Sequence, residues 1–331
     1  MNVARWNGAN YVEMGSPMNG TISAAIEHNG DIYLGGSFNG GTSDLLRWNA
    51  GNWEAQAAFS SKYAQINAMH VHNGDLYVAG SMSGFAGIDD LVLRKNGTIW
   101  EQVGEVLNET IFCLATLDGD LVAGGLFDGT YSSTTPDISH VAVLSNNSWT
   151  QLGDGLDAPV HALLNVNGTL YAGGTLFANV VPVFGLARIG GTGISWEMLM
   201  PNKVDYMFPN QGTAYIGSLA LYKDKVYAAG DFNYSSGAVG LFSYNLVQFN
   251  GTPDDLSPLI GVLDGSINTL AVNNASLLIG GEFTTPHAHV ATTDLTAAIN
   301  DDLQLAPLAI SPNPSSEIIT IQVPTGMTTN A

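Results

Sequence analysis

The stretch DIYLGGSF at residues 31–38 decides the fold, because variants of it return five more times along the chain. The other copies are LYVAGSM at 76–82, LVAGGLF at 121–127, LYAGG at 170–174, VYAAGDF at 226–232 and LLIGGEF at 277–283. The last glycine of the motif falls at 36, 80, 125, 174, 230 and 281, so the copies lie 44 to 56 residues apart. Strand-like repeats of that period are typical of β-propellers, in which each repeat is a four-stranded blade. The sequence therefore predicts an all-β, six-bladed β-propeller.

The strand before each motif aligns without gaps in all six copies. Its first aligned position holds Ile22, Ile66, Ile111, Val160, Ile216 and Ile267. In four copies an Asn-Gly or Asp-Gly turn joins the two strands, and these dipeptides tolerate the positive φ angles of a tight hairpin. A third strand of the type LRWN at 46–49 and a fourth with a late tryptophan such as Trp53 complete the repeat.

The two ends of the repeat array suggest how the ring closes. Residues 5–13 read as an outer hairpin that has no inner hairpin before it, and after the sixth motif only residues 288–291 resemble another strand. We therefore expect the N-terminal hairpin to complete the sixth blade and to remove an exposed sheet edge. The predicted propeller covers residues 1–302, and residues 303–331 form a linker into a further segment.

A Gly-Gly doublet followed by an aromatic residue and a later tryptophan resembles the kelch repeat. Gly35-Gly36, Trp48 and Trp53 match best, while alanine replaces the first glycine at Ala79 and Ala229. Galactose-oxidase-like enzymes share this propeller, and the resemblance implies a copper site with a Tyr–Cys cross-link in that family. The single cysteine, Cys113, lies at a small-residue position of an inner strand, so we expect a packed thiol instead.

The tail carries a second resemblance. Residues 309–316 read AISPNPSS and are followed by the apolar run IITI at 318–321. This looks like the opening of the C-terminal sorting domain of the type IX secretion system of Bacteroidetes-type bacteria. The resemblance implies an exported protein, extracellular or on the cell surface, whose tail is recognised by that secretion machinery. A proline-rich linker into another β domain is the alternative.

Composition excludes several classes of partner. The chain has 331 residues, of which 29 are acidic and 9 are basic, for a formal net charge of −20. No basic stripe exists that could neutralise phosphates, so we expect no nucleic-acid partner. No apolar run reaches the ~18–20 residues of a membrane helix, so we expect no membrane insertion. The sequence also lacks the nucleophile-elbow, P-loop and zinc-peptidase motifs.

Long and variable connections are where binding residues sit on a rigid scaffold. Here they span 127–140, 199–215 and 231–244, opposite the Asn-Gly turns. They contribute the candidate ligand-binding residues His140, Asp205, Tyr206 and Tyr234. A second set follows the first aligned position of the inner strands and is predicted to line the mouth of the central channel. From that set the candidates are Asn67, Phe112, His161 and Asn268.

Two carboxylates, Asp231 and Glu282, directly follow the last glycine of the motif in neighbouring repeats. Such a pair could bind a ligand, hold Ca²⁺ or act as acid and base, and the alternative is that each caps a local turn. His70 and His72 have the spacing of a chelating pair but no third ligand nearby, and His287 and His289 are weak metal candidates. We expect no cofactor, with Ca²⁺ as the one candidate ion.

These observations favour a secreted or cell-surface recognition or adhesion propeller without catalysis. Its expected partner is a glycan or a surface protein on the long-loop face. Two alternatives stay open. One is an extracellular carbohydrate-active enzyme that uses the loop-face carboxylates, and the other is a structural spacer within a larger surface protein.

Overall fold

A computed structural model describes most of the repeat array. The described residues are 2–6, 11–16, 18–38, 44–56, 64–82, 90–132, 137–175, 185–190, 194–199, 205–208, 215–236, 241–249, 256–258, 263–273, 276–284, 290–293 and 318–321. Within them every regular element is a β-strand, as expected for an all-β propeller. None of the described residues forms a helix with the length and apolar character needed to cross a bilayer.

The strands follow the repeat closely. The first half of the chain forms β1 (Asn2–Trp6), β2 (Tyr11–Glu13), β3 (Gly20–His28), β4 (Asp31–Phe38), β5 (Leu45–Asn49), β6 (Asn52–Ala55), β7 (Ala64–His72), β8 (Asp75–Met82), β9 (Asp90–Asn96), β10 (Ile99–Gln102), β11 (Ile111–Leu117), β12 (Asp120–Gly125), β13 (Val141–Ser145) and β14 (Ser148–Gln151). The second half forms β15 (Val160–Val166), β16 (Thr169–Gly174), β17 (Leu186–Gly190), β18 (Glu197–Met198), β19 (Asp205–Phe208), β20 (Tyr215–Tyr222), β21 (Lys225–Ser236), β22 (Leu241–Phe249), β23 (Leu256–Pro258), β24 (Ile267–Asn273), β25 (Ser276–Gly281), β26 (Val290–Thr293) and β27 (Ile318–Ile321).

Five sheets are complete blades, so the prediction of six blades is wrong. Blades one to four are the antiparallel sheets β3–β6, β7–β10, β11–β14 and β15–β18, and blade five holds the five strands β19–β23. The sixth motif forms a sheet of only three strands, β24–β25–β26, in the described chain. The late tryptophan is present in blades one to four and absent from the fifth and sixth repeats.

The N-terminal hairpin does not close the sixth sheet as we expected. The outer side of β25 is paired with β26, with Ile279 opposite Ala291, so the hairpin does not take that place. Instead β1 pairs with β2 on one side and with the tail strand β27, in parallel, on the other. The hairpin packs on blade one, where Val3 and Met14 join a core cluster with Ile22 and Leu34.

Tryptophans from the fourth strands stabilise contacts between successive sheets. The indole Nε1 of Trp53 in blade one donates a hydrogen bond to the Met14 carbonyl at 2.8 Å. Trp196 in blade four does the same to the Leu152 carbonyl of blade three at 3.0 Å. Each acceptor precedes a glycine with positive φ, Gly15 or Gly153, which lets the chain turn beneath the ring. These aromatic side chains therefore serve packing between blades.

The last glycine of every motif is required by a backbone contact. In all six copies a β-carbon at this position would lie within 2.2 Å of a carbonyl oxygen on the preceding strand. Those oxygens belong to Thr21, Gln65, Thr110, Pro159, Tyr215 and Ser266. Immediately beyond each of them the pairing register slips by one residue, which is the mark of a β-bulge.

The first glycine of the motif faces the next blade. A β-carbon on Gly35 would lie 2.4 Å from Ile66 Cγ2, and one on Gly173 would lie 2.5 Å from Ile216 Cγ2. The aligned isoleucine of one blade thus packs against the glycine of the blade before it. Ala79 and Ala229, which replace this glycine in two copies, are fully buried.

We predict that Gly174→Ala destabilises the protein while Gly190→Ala in the same blade does not. A methyl group on Gly174 would meet the Pro159 oxygen at 2.2 Å, so the bulge must shift, at a cost of about 1–3 kcal/mol. Nothing lies within 4 Å of the corresponding position on Gly190. Urea unfolding of both variants measures the difference, and equal stabilities would contradict the role of the bulge.

Two histidines share one hydroxyl at the interface between blades two and three. His70 Nε2 and His72 Nδ1 each lie 2.9 Å from Thr116 Oγ1. The Thr116 carbonyl in turn accepts a hydrogen bond from Asn165 of blade four at 2.6 Å. Burial lowers the pKa of both histidines; the charge of His72 adds to this at His70, whereas Asp120 and Asp75 oppose it at His72.

We therefore predict that the protein loses stability as the pH falls below about 6.5, the ordinary pKa of histidine. The unfolded chain takes up protons in that range before the folded chain does, which favours unfolding until the folded pKa is passed. The variant His70→Gln keeps a donor for Thr116 and should flatten this part of the curve in urea unfolding between pH 5 and 8. His28→Gln, at the same strand in blade one, is the control; an unchanged slope in His70→Gln would contradict the prediction.

Candidate functional site

The six bulges place five different residue types at one structural position. The residues skipped by the register are Ser23, Asn67, Phe112, His161, Gly217 and Asn268. The sequence predicted this same set at the channel mouth from its alignment alone. The inner hairpins thus end, on the side away from the Asn-Gly turns, in a ring whose members differ from blade to blade.

Three aromatic side chains on blades three to five pack against one another in a row, which we call the aromatic step: Phe112, His161 and Tyr215. The rings of Phe112 and His161 stack with centroids 4.5 Å apart and planes 12° from parallel. Tyr215 lies on the other side of His161, with ring centroids 5.7 Å apart. His161 Nε2 is 3.0 Å from the Thr175 hydroxyl, and burial lowers the pKa of His161, which keeps the ring uncharged at neutral pH.

The two predicted carboxylates follow the last glycine of the motif in blade five and in the sixth sheet, and Asp231 adjoins the aromatic residue Tyr215. Asp231 is paired with Tyr215 across the β20–β21 hairpin. Burial raises the pKa of Asp231, and the negative charge of Glu282 raises it further. The pKa of Tyr215 is also raised, by burial and then by the charges of Asp231 and Glu282. We call the group Phe112, His161, Thr175, Tyr215, Asp231 and Glu282 the rim site.

Asn67 and His140 have local partners. The Asn67 amide donates a hydrogen bond to the Ile111 carbonyl of the next blade at 3.1 Å, so it links blades two and three. The backbone of His140, at φ 62°, bonds to Phe127 and Gly125. Burial lowers the pKa of its side chain, against opposing interactions with the Leu126 and Phe127 backbone and with Asp128 and Asp157. Its Nδ1 is buried and makes no hydrogen bond within the described chain.

The remaining candidates are placed only in part. Asp205 and Tyr206 lie on β19, which pairs with the far end of β21 where Tyr234 lies. The expected loops 199–215 and 231–244 are therefore partly strands, because β21 and β22 continue beyond the bulge. The side chains of these three residues, and His287 and His289 entirely, lie outside the described residues. Asn268 occupies the bulge of the sixth sheet.

Sequence reasoning missed Tyr215 and Leu126 as members of this region. Leu126 occupies the position that Thr175, Asp231 and Glu282 hold in the following repeats, directly after the motif's last glycine. Its N–H donates to the Thr110 carbonyl at 2.8 Å, as that of Thr175 does to Pro159 at 2.9 Å. Aligning this position over all six repeats would have found Leu126. Tyr215 precedes the aligned isoleucine and carries no comparable signal.

A metal centre has little support from the described side chains. Among them no three histidine, cysteine, aspartate or glutamate residues are grouped as metal ligands. Asp231 and Glu282 supply oxygen donors of the kind that Ca²⁺ prefers, but from two side chains only. Cys113 is buried beneath Gly124, and burial strongly raises the pKa of its thiol, which suits packing.

Comparison with solved structures supports the propeller fold. The structure of YjhT superposes with a TM-score of 0.53 at 13% identity, over 88% of this chain and 98% of that one. The extracellular domain of BT4673 from B. thetaiotaomicron gives a TM-score of 0.50 at 12% identity, over 88% of this chain and 39% of that one. No model of a protein family matches the sequence, and no curated protein matches it. At these identities the similarity shows the fold alone.

We predict that Glu282→Gln lowers the pKa of Asp231. Removing the neighbouring negative charge leaves burial as the only cause that raises this pKa. Side-chain carboxyl titration by ¹³C NMR measures the change, with Asp224→Asn in the distant β20–β21 turn as the control. A titration of Asp231 that is the same in both variants would show that the two carboxylates do not interact.

Proposed function

We propose that this protein is a non-catalytic recognition or adhesion propeller that binds a glycan or a protein partner at the rim site. The proposal rests on one observation, the contrast between a backbone that repeats and side chains at the rim that do not. The bulge and its glycine recur in six repeats, whereas the side chains presented there differ in size, charge and aromaticity. A repeat that only had to pack would place equivalent residues at equivalent positions.

The variation also favours one composite site over six equivalent ones. The aromatic rings lie on blades three to five, and the carboxylates lie on blade five and the sixth sheet. A ligand that contacts both groups spans neighbouring repeats. Many propellers and sandwiches present their binding residues in this way, on a rigid scaffold.

The place of action that we propose is the cell surface or the extracellular space. The AISPNPSS segment at 309–316 resembles the start of a type IX sorting domain, and the kelch-like motif fits an exported propeller. One structural neighbour is itself an extracellular domain. In this proposal the tail engages the secretion machinery, and the propeller meets its partner outside the cell.

A carbohydrate-active enzyme is the second candidate. A raised pKa of Asp231 beside Glu282 is what a general acid requires, and a carboxylate pair is the usual machinery of glycoside hydrolysis. Turnover of glycans by the wild type, lost in Asp231→Asn, would replace our proposal with this one. A spacer would bind nothing at the rim.

A screen of the full chain on a glycan array and against surface-protein extracts tests recognition, with and without calcium. We expect selective binding that is lost in the double variant Phe112→Ala/His161→Ala and retained in Asn29→Ala/Glu27→Ala on the opposite face. Because Phe112 and His161 are partly buried and stacked, thermal unfolding of both double variants identifies any loss of binding that comes from misfolding. Binding that is equal in both variants would exclude the rim as the site.

A further inference from the structure

We infer that the rim site binds a protein segment in which a lysine or arginine side chain adjoins an apolar residue. The inference rests on the proposed recognition function and names the chemistry of its ligand. It follows from how charge and apolar surface are divided around the rim.

Within the part of the chain that the structure describes, the acidic half of the rim makes no ion pair with a basic side chain. Within the described chain, the ion pairs involve Arg47, Arg94 and Arg188, all on strands of blades one, two and four. Neither Asp231 nor Glu282 is among the carboxylates that they bind. Asp231 is the Cα partner of Tyr215 across the β20–β21 hairpin, and the negative charge of Glu282 raises the pKa of both residues. An ammonium or guanidinium group would relieve this repulsion and could also lie on the aromatic face.

The other half of the rim is apolar. Leu126 exposes 41% of its surface at the position where the next repeat has Thr175. Thr175 Oγ1 lies 3.0 Å from Nε2 of His161, the bulge residue of its own blade, and Leu126 and Phe112 occupy the equivalent backbone positions of blade three. Blade three therefore presents a leucine and a phenylalanine next to the aromatic step, and the stacked His161 ring adds a further flat, uncharged surface.

A neutral glycan fits this division less well than a peptide does. Sugar hydroxyls could bond to the carboxylates and to the Thr175 hydroxyl, but the exposed Leu126 offers them no donor or acceptor. A lysine or arginine side chain with an apolar neighbour matches both sides. The net charge of −20 also draws a basic segment towards the protein from a distance.

The test uses four short peptides immobilised at equal density: lysine with leucine, lysine with serine, serine with leucine, and glutamate with leucine. Binding of the full chain is measured by biolayer interferometry at low and high salt, beside an array of neutral, acidic and amino-sugar glycans. The variants are Asp231→Asn, Glu282→Gln and Leu126→Ser. Asp224→Asn, which removes one charge at the opposite end of the blade-five hairpin, is the matched control.

We expect the lysine–leucine peptide to bind best and to weaken with salt. Asp231→Asn and Glu282→Gln should each reduce its affinity about tenfold or more, and Leu126→Ser should reduce it towards that of the lysine–serine peptide. Asp224→Asn should bind as the wild type does. Preference for amino-sugar glycans over the peptides would assign the cation to a sugar and overturn the inference.

Other outcomes separate this inference from the proposed function. If neutral glycans bind and the signal depends on Phe112 but not on Asp231, recognition at the rim stands and the basic ligand is wrong. If Asp224→Asn weakens peptide binding as much as Asp231→Asn does, the attraction is general and the rim has no specific role in it. If neither peptides nor glycans bind, both the inference and glycan recognition are wrong. Thermal unfolding of each variant identifies any loss that comes from misfolding.

Discussion

The architecture depends on one close contact between two backbones. At six places a carbonyl oxygen on the innermost strand occupies the space that a β-carbon of the partner strand would need. Where the hydrogen bonds are described, as at Thr110, Pro159 and Ser266, the same oxygen accepts an N–H from the residue after the glycine. The contact holds the bulge in place, so the strand gains one residue relative to its partner. Glycine at that position follows from the bulge, and the aligned β-branched residue beside it packs on the blade before.

At this bulge the fold fixes the backbone conformation, whereas the side chain can vary and serve the site. The residue that the pairing register skips has no Cα partner on the neighbouring strand. Its side chain can therefore differ between repeats without loss of sheet pairing. Asn67 is used to bond the next blade, whereas Phe112 and His161 stack on each other. The same bulge thus either links two blades or contributes to a binding surface, depending on the side chain at the skipped position.

Much of this was predictable because glycines and turns report on the backbone directly. The repeat motif predicted the inner hairpins and placed Asp231 and Glu282 at equivalent positions of neighbouring repeats, but it did not predict the bulges. The number of complete blades was not predictable, because it depends on which strand pairs with β25, and β26 and the N-terminal hairpin both have suitable sequences. The strands at 205–208 and 233–236 were expected to be loops, since they extend the sheet past the point where the repeat ends. Leu126 follows the end of β12, and only an alignment of the residue after the last glycine over all six repeats identifies it.

The negative charge of the rim carboxylate Asp231 lowers the folding stability, and no ion pair within the described chain compensates for this. A raised pKa means that the ionised form of Asp231 is less favourable in the folded protein than in the unfolded chain, so its charge lowers folding stability at neutral pH. Some carboxylates of the scaffold are ion-paired, as Glu54 is with Arg47 and Glu197 with Arg188. Within the described chain, Asp231 and Glu282 are in none of the ion pairs, and they belong to the rim site together with the uncharged aromatic rings. In our proposal the compensating charge is supplied by the ligand and not by the fold.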